Sequence, residues 1–259
     1  MGEQLSIVKI GGNIIEDTGA LQVFLEHFSS LNGPKILVHG GGKKASALLP
    51  KLGIVPKMIN GRRITDAATL DVVTMVYGGL VNKTIVAQLQ ALGTNAIGMS
   101  GADANSIQAH KRPVGEIDYG FAGDVDGINS DGISNLLAIG LTPIFCALTH
   151  DQNGQLLNTN ADTIASVLAV GLSTKFEVTL NYCFELNGVL EDIDDKDSVI
   201  PKIDTSSYKN LISQGSIADG MLPKLHNCFE ALKQGVHEVR IGHLGLFDTN
   251  NTTYTSLVL

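Results

Sequence analysis

Apolar residues follow two alternating rhythms over the first fifty positions. Leu5 to Ile10 and Lys35 to His39 are short runs, whereas Leu21 to Leu31 and Lys43 to Leu52 are longer and amphipathic. Short bounded runs suit buried strands and longer periodic ones suit helices, so this stretch predicts β, α, β, α and a parallel sheet covered by helices. Ligands of such sheets bind beyond the carboxyl ends of the strands. Both early strands meet glycine there: Ile7 to Ile10 runs into Gly11-Gly12, and Ile36 to His39 runs into Gly40-Gly41-Gly42. Two unobstructed backbone loops are thus expected side by side at one edge of the sheet.

The stretch from Ala67 to Leu92 reads as one long helix, capped by Thr65-Asp66 and closed by Gly93. Gly78 and Gly79 inside it cost about 1 kcal/mol each relative to alanine, so compensating close packing against another helix is expected, a dimer contact being one candidate. Glycines 120, 123 and 127 punctuate a hairpin-like segment between Asp118 and Asn129, and Ser130 begins a helix reaching Ala138. Thr142 to Leu148 is the next apolar strand. After the turn signal Asp151-Gln152-Asn153-Gly154, the run Asn158 to Asp162 leads into an apolar helix ending at Leu172. From Lys175 the pattern restarts, with a strand from Phe176 to Leu180 and helices from Ser206 and Met221. A boundary near 174 divides the chain into 1–174 and 175–259, with one sheet able to run through both.

Composition removes several classes of function. A chain of 259 residues, 44% hydrophobic, can bury a sizeable core without staples, and Cys146, Cys183 and Cys228 show neither a disulfide framework nor zinc-ligand spacing. A net charge of −8 without a dense Lys/Arg block argues against nucleic acid as a partner. Residues 1 to 10 lack the pattern of a signal peptide, and no run of about 18 apolar residues offers a membrane span, so a cytoplasmic protein with no membrane contact is expected.

Phosphoryl transfer needs donors and cations held still around the phosphate oxygens. Lys9 could supply such a cation, since it ends a strand just before glycines whose amides could approach an anion; taken alone it reads equally as an edge-strand surface lysine. Gly40-Gly41-Gly42 offers amides at a helix start, where the dipole favours anions, although a tight turn alone would also explain it. Neither G-x-x-x-x-G-K-[ST] nor G-x-G-x-x-G occurs, which disfavours a P-loop enzyme and a Rossmann dehydrogenase.

Five motifs occur together and in order: Ile7-Val-Lys-Ile-Gly-Gly12, His39-Gly-Gly-Gly42, Asn60-Gly-Arg-Arg-Ile-Thr65, Asn158-Thr-Asn-Ala-Asp162 and Asp219-Gly-Met-Leu-Pro-Lys224. The set resembles the acetylglutamate kinases within the amino acid kinase family, and it covers nearly the whole chain. The resemblance implies a three-layer αβα sandwich around a mainly parallel sheet, carbamate kinase-like, with the acylamino acid on 1–174 and MgATP on 175–259. It implies ATP-dependent phosphorylation of the γ-carboxylate of N-acetyl-L-glutamate in arginine biosynthesis, with N-succinyl-L-glutamate, another acceptor within the fold, or a non-catalytic sensor as alternatives. Lys9 and Lys224 would be the cations flanking the transferring phosphoryl group, with Asp162 between them. Gly41, Gly42, Arg63, Asn158 and Asn160 would bind the acceptor, Arg63 gripping its α-carboxylate. Gly11, Gly12, Gly188, Ile217 and Ala218 would contact the nucleotide, and no dedicated protein metal site is implied, Mg²⁺ travelling with ATP. Asp162 and both asparagines also have ordinary capping and turn readings.

A glutamate side-chain carboxylate, of ordinary pKa about 4.3, is already ionised at neutral pH, so this reaction requires no general base. His39 is accordingly expected to fix its loop. The nucleotide half departs from the family pattern: a Thr-Asp-Val-x-Gly type segment is replaced by Leu180 to Gly188, without the aspartate, Pro223 precedes Lys224, and Asn250 to Tyr254 lacks a Gly-Thr pair. Few residues precede Leu5, whereas arginine-inhibited members carry an extra helix there; a homodimer without arginine feedback, joined through the Ala67 to Leu92 helix, is expected.

Overall fold

The computed structural model describes residues 2–59, 61–192, 194–214, 221–247 and 253–259. Eight strands form one sheet in the order Lys202–Ile203, Tyr254–Leu257, Glu238–Gly242, Glu177–Cys183, Gln4–Ile10, Lys35–His39, Thr142–Cys146 and Ala96–Met99. All neighbours are parallel except Glu238–Gly242 and Tyr254–Leu257, which run antiparallel. Strands from both sides of residue 174 thus share the sheet, because Gln4–Ile10 pairs directly with Glu177–Cys183. Central strands are covered on both faces, which is why Leu5, Ile7, Val8 and Ile10 are all buried and Lys9 is the polar interruption. The edge-strand reading of Lys9 falls with this pairing, since its strand is flanked on both sides.

Helices Ser130–Ala138, Ala161–Leu172 and Leu222–Lys233 form one outer layer; Thr18–Ser30 and Asn82–Ala91 belong to the other. The result is a three-layer αβα sandwich. Asn160 caps the Ala161–Leu172 helix by accepting from the amides of Asp162 (2.7 Å) and Thr163 (3.3 Å). That cap places Asp162 in the first helical turn at the carboxyl edge of the sheet.

The long helix differs from a uniform α-helix. Ala67–Thr74 and Asn82–Ala91 are α-helical, but Met75–Val81 between them is a π-helical turn containing Gly78-Gly79. Weak helix formers at 78 and 79 let the turn widen, a feature found mainly at functional sites. The glycine pair does not pack against another helix among the described residues: a Cβ on Gly78 would meet Leu148, on a strand, at 3.5 Å, whereas Gly79 faces open space. Ala67–Ala91 is long and apolar enough to meet the length of a membrane span, but Val73, Val76, Ile85 and Leu89 spend that apolar character on the core.

Three further elements differ from the sequence pattern. Thr142 to Leu148 is two strands in two sheets, Thr142–Cys146 in the main one and Leu148–His150 in a four-stranded sheet with Leu156–Asn158, Ile107–Lys111 and Gly123–Ile128. The hairpin-like segment after Asp118 contributes one strand, Gly123–Ile128, which pairs back with Ile107–Lys111. The strand expected to end at Leu180 continues to Cys183, because Asn181 is satisfied inside the sheet by the carbonyls of Ile7 and Thr179.

Candidate functional site

Lys9 Nζ stands 2.8 Å from Asp162 Oδ1, an ion pair with the lysine side chain largely buried. The same ammonium lies 5.2 Å from the centroid of the Phe184 ring, and Lys224 Nζ lies 4.2 Å from that centroid. Two residues distant in sequence therefore share one aromatic platform, and Lys9 alone is paired with the carboxylate. The two ammonium groups bring cations to this point of the sheet edge, where an anion could meet them.

The glycine loops flank this pair. Gly12 opens the helix Gly12–Glu16, whose first amides have no acceptor within the helix, while the Gly11 amide is committed to Cys183 O at 2.9 Å. Gly41 must be glycine for a reason of packing: a Cβ there would lie 2.7 Å from the Tyr77 ring. Behind the loop, His39 is fully buried and bonded at both nitrogens. Nδ1 donates to Gly40 O (2.7 Å) and Nε2 accepts from Asn82 Nδ2 (3.0 Å), which also donates to Ile144 O. Burial lowers the His39 pKa to about 4, so the ring is neutral and serves as a fixed strut for the loop.

Arg63 is 8% exposed. Its Nη2 donates to Gly42 O (2.9 Å) and Ser46 Oγ (2.7 Å), but its buried Nε and Nη1 have no partner. A buried guanidinium with two unpartnered nitrogens, which carry three N–H donors between them, is costly unless an anion completes it. Asn158 Nδ2 donates to Thr65 Oγ1 at 3.0 Å, which steadies the asparagine beside Arg63. Lys9, Gly42, Arg63, Asn158, Asn160 and Asp162 all line one cavity of about 280 Å³. A second cavity of about 210 Å³, between Ala161–Leu172 and Leu222–Lys233, has Asp162, Phe184 and Lys224 on its wall. Asp162 and Thr163 line both, so the two spaces meet at the lysine pair.

Known proteins are similar to this chain along most of its length. The model of the amino acid kinase family matches residues 4–243. The chain belongs to the amino acid kinase family. It is 54% identical over 239 residues to an acetylglutamate kinase of Parabacteroides distasonis, covering 92% of this chain and 94% of that one. It is 53% identical to an acetylglutamate kinase of Cytophaga hutchinsonii, covering 99% of both. Among solved structures, an N-acetylglutamate synthase of Neisseria gonorrhoeae in complex with coenzyme A and N-acetyl-glutamate superposes with a TM-score of 0.80 at 22% identity, over all of this chain and 60% of that one. A carbamate kinase of Giardia lamblia bound to AMP-PNP gives 0.70 at 13% identity over 99% of this chain and 98% of that one. At those identities the likeness is one of fold.

Within this amino acid kinase, residues predicted from sequence gather unevenly. Gly188 lies outside both cavities, against Thr255 and Val199, where a Cβ would come within 2.6 Å of each; its lack of a side chain meets a packing need there. Ile217 and Ala218 lie outside the described residues. The structure adds Tyr77, Arg112, Tyr119 and Asp124 to the wall of the larger cavity, and Phe184 beneath the lysines. Arg112 grips Asp124 through Nε (3.1 Å to Oδ2) and Nη2 and stacks over Tyr119, which holds Asp124 below the usual carboxylate range. Burial raises the Tyr77 hydroxyl above its ordinary pKa, so it stays protonated near Gly42. Tyr77 could have been suspected from its place beside Gly78-Gly79, and Phe184 from its place in the segment that departs from the family pattern. Nothing in the sequence links Arg112 to Asp124. Burial pushes all three cysteines up to about 12, so no thiolate is poised for chemistry.

Proposed function

We propose that this chain transfers the γ-phosphoryl group of ATP to the side-chain carboxylate of N-acetyl-L-glutamate, as a cytoplasmic homodimer in arginine biosynthesis. The observation that carries the reading is Arg63: a buried guanidinium with unpaired donors, in the same cavity as the Lys9–Asp162 pair. It gives an acceptor two distinct anion sites, one for a remote α-carboxylate and one for the reacting end.

The acceptor lies on the 1–174 half, with Arg63 on its α-carboxylate and Asn158 and Asn160 toward its polar groups. The nucleotide lies on 175–259, reaching Lys224. A γ-carboxylate oxygen attacks phosphorus, the bond to the bridging oxygen of the β-phosphate breaks, and its electrons leave with ADP. No proton moves, because the attacking group is already ionised. Lys9 and Lys224 oppose the repulsion between carboxylate and triphosphate, Asp162 holds Lys9 in line, and the Gly12, Gly41 and Gly42 amides face the oxygens. Mg²⁺ would neutralise charge on the β- and γ-phosphates.

A coupled ADP-release assay with N-acetyl-, N-succinyl- and free glutamate tests the reaction. Turnover is expected with the N-acetyl compound and none with free glutamate, whose ammonium replaces a neutral amide. Silence with every acylglutamate would end the kinase reading, and a strong preference for the succinyl compound would reassign the acceptor.

The dimer reading rests on the exposed face of Ala67–Ala91, where Met75 is 55% and Leu80 59% exposed beside the bare Gly79. Light scattering should give twice the chain mass, and Leu80→Asp should halve it. A monomeric or hexameric wild type would overturn this assignment.

A further inference from the structure

We infer that Phe184 is a positioning residue for phosphoryl transfer, its ring face holding the Lys9 and Lys224 ammonium groups in register across the boundary between the two cavities. The inference rests on the reading of those lysines as the pair that flanks the phosphoryl group.

Three observations carry it. Both ammonium nitrogens lie within 6 Å of one ring centroid, 5.2 Å for Lys9 and 4.2 Å for Lys224, the range in which a ring quadrupole attracts a cation. The ring is itself fixed. The Phe184 amide donates to Gly242 O at 2.8 Å, tying it to the neighbouring strand; its ring lies parallel to Tyr182, at 2° between planes, and a Cβ on Gly11 would come within 3.6 Å of it. Tyr182 is in turn buried in the sheet and its hydroxyl donates to Asp162 O at 3.4 Å. Finally, charge is distributed unequally: Lys9 has Asp162 at 2.8 Å, whereas the contact described for Lys224 is the ring.

The chemistry of that choice is specific. A carboxylate in place of the ring would also hold an ammonium in position, but it would cancel the charge that the incoming phosphate is to meet and would compete with it for the same N–H donors. An aromatic face orients the cation without neutralising it or occupying its hydrogen-bond donors. Phe184 therefore lets the Lys224 ammonium be preorganised without being cancelled by its own support when the nucleotide arrives. The effect belongs to kcat, since the lysines act on charge that develops as the phosphoryl group transfers.

The test separates ring electronics from ring shape. In the full-length enzyme, Phe184→Leu should lower kcat by at least about tenfold with the KM for the acylglutamate little changed, while Phe184→Tyr and Phe184→Trp retain most activity. Site-specific replacement of Phe184 by mono-, di- and pentafluorophenylalanine, which weakens the quadrupole at nearly constant shape, should lower kcat stepwise at unchanged melting temperature. A flat fluorination series, or Phe184→Leu with wild-type kcat, overturns the role of the ring. Wild-type turnover in Lys9→Ala or Lys224→Ala would instead remove the two-lysine reading on which the role depends.

Discussion

Lys9→Ala should lower kcat by about three orders of magnitude while lowering stability by only about 1–2 kcal/mol. Unit charges about 4 Å apart interact by roughly 4 kcal/mol at an effective dielectric constant of about 20, and each 1.36 kcal/mol of barrier is about tenfold in rate. The stability effect is smaller because the pair is made at a sheet edge next to a cavity. Asp162 keeps a side chain 34% exposed, so water can replace part of what Lys9 provides, and the alanine also relieves repulsion with Lys224. For a chain of this size that stability change corresponds to a few degrees in melting temperature. Single-turnover kinetics with N-acetylglutamate and saturating ATP, paired with a thermal melt, gives both numbers. A variant that loses activity only in proportion to its folded fraction would show that Lys9 is structural.

Arg63→Ala should raise the KM for N-acetylglutamate by two orders of magnitude or more with a far smaller change in kcat. The guanidinium binds a carboxylate remote from the reacting one, so its contribution is felt equally in the ground and transition states and appears in KM. Truncating one partner of a buried charged pair costs about 2–5 kcal/mol, which sets the scale. Arg63→Lys should fail to restore binding, because Nη2 is already committed to Gly42 O and Ser46 Oγ and a single ammonium cannot do that and meet a carboxylate. The control is an acceptor without the α-carboxylate, N-acetyl-4-aminobutyrate, on which wild type and Arg63→Ala should be equally poor. If Arg63→Ala keeps its KM within about threefold, the α-carboxylate is held elsewhere.

Much of this molecule could be read from residue order. The βαβα rhythm before residue 52 specified a parallel sheet, and the glycines after Ile10 and His39 marked the edge at which the candidate site's cavity lies, because period and punctuation are local properties. The reaction's freedom from a general base followed from the acceptor's own ionisation. His39 as a loop strut was likewise expected from sequence and is found bonded at both nitrogens. By itself the sequence determined the family, the fold and the residue types of the site. Only the tertiary structure decided which of those residues share a space. It put Lys9 on a central strand, turned Met75–Val81 into a π-helical segment that carries Tyr77 to the cavity, and joined Arg112 to Asp124 from opposite ends of a long connection. It also placed Phe184 under two lysines that no spacing rule relates. Such contacts form between strands brought together by sheet order, and sheet order is set by burial of the whole core; a local pattern in the chain carries no record of it.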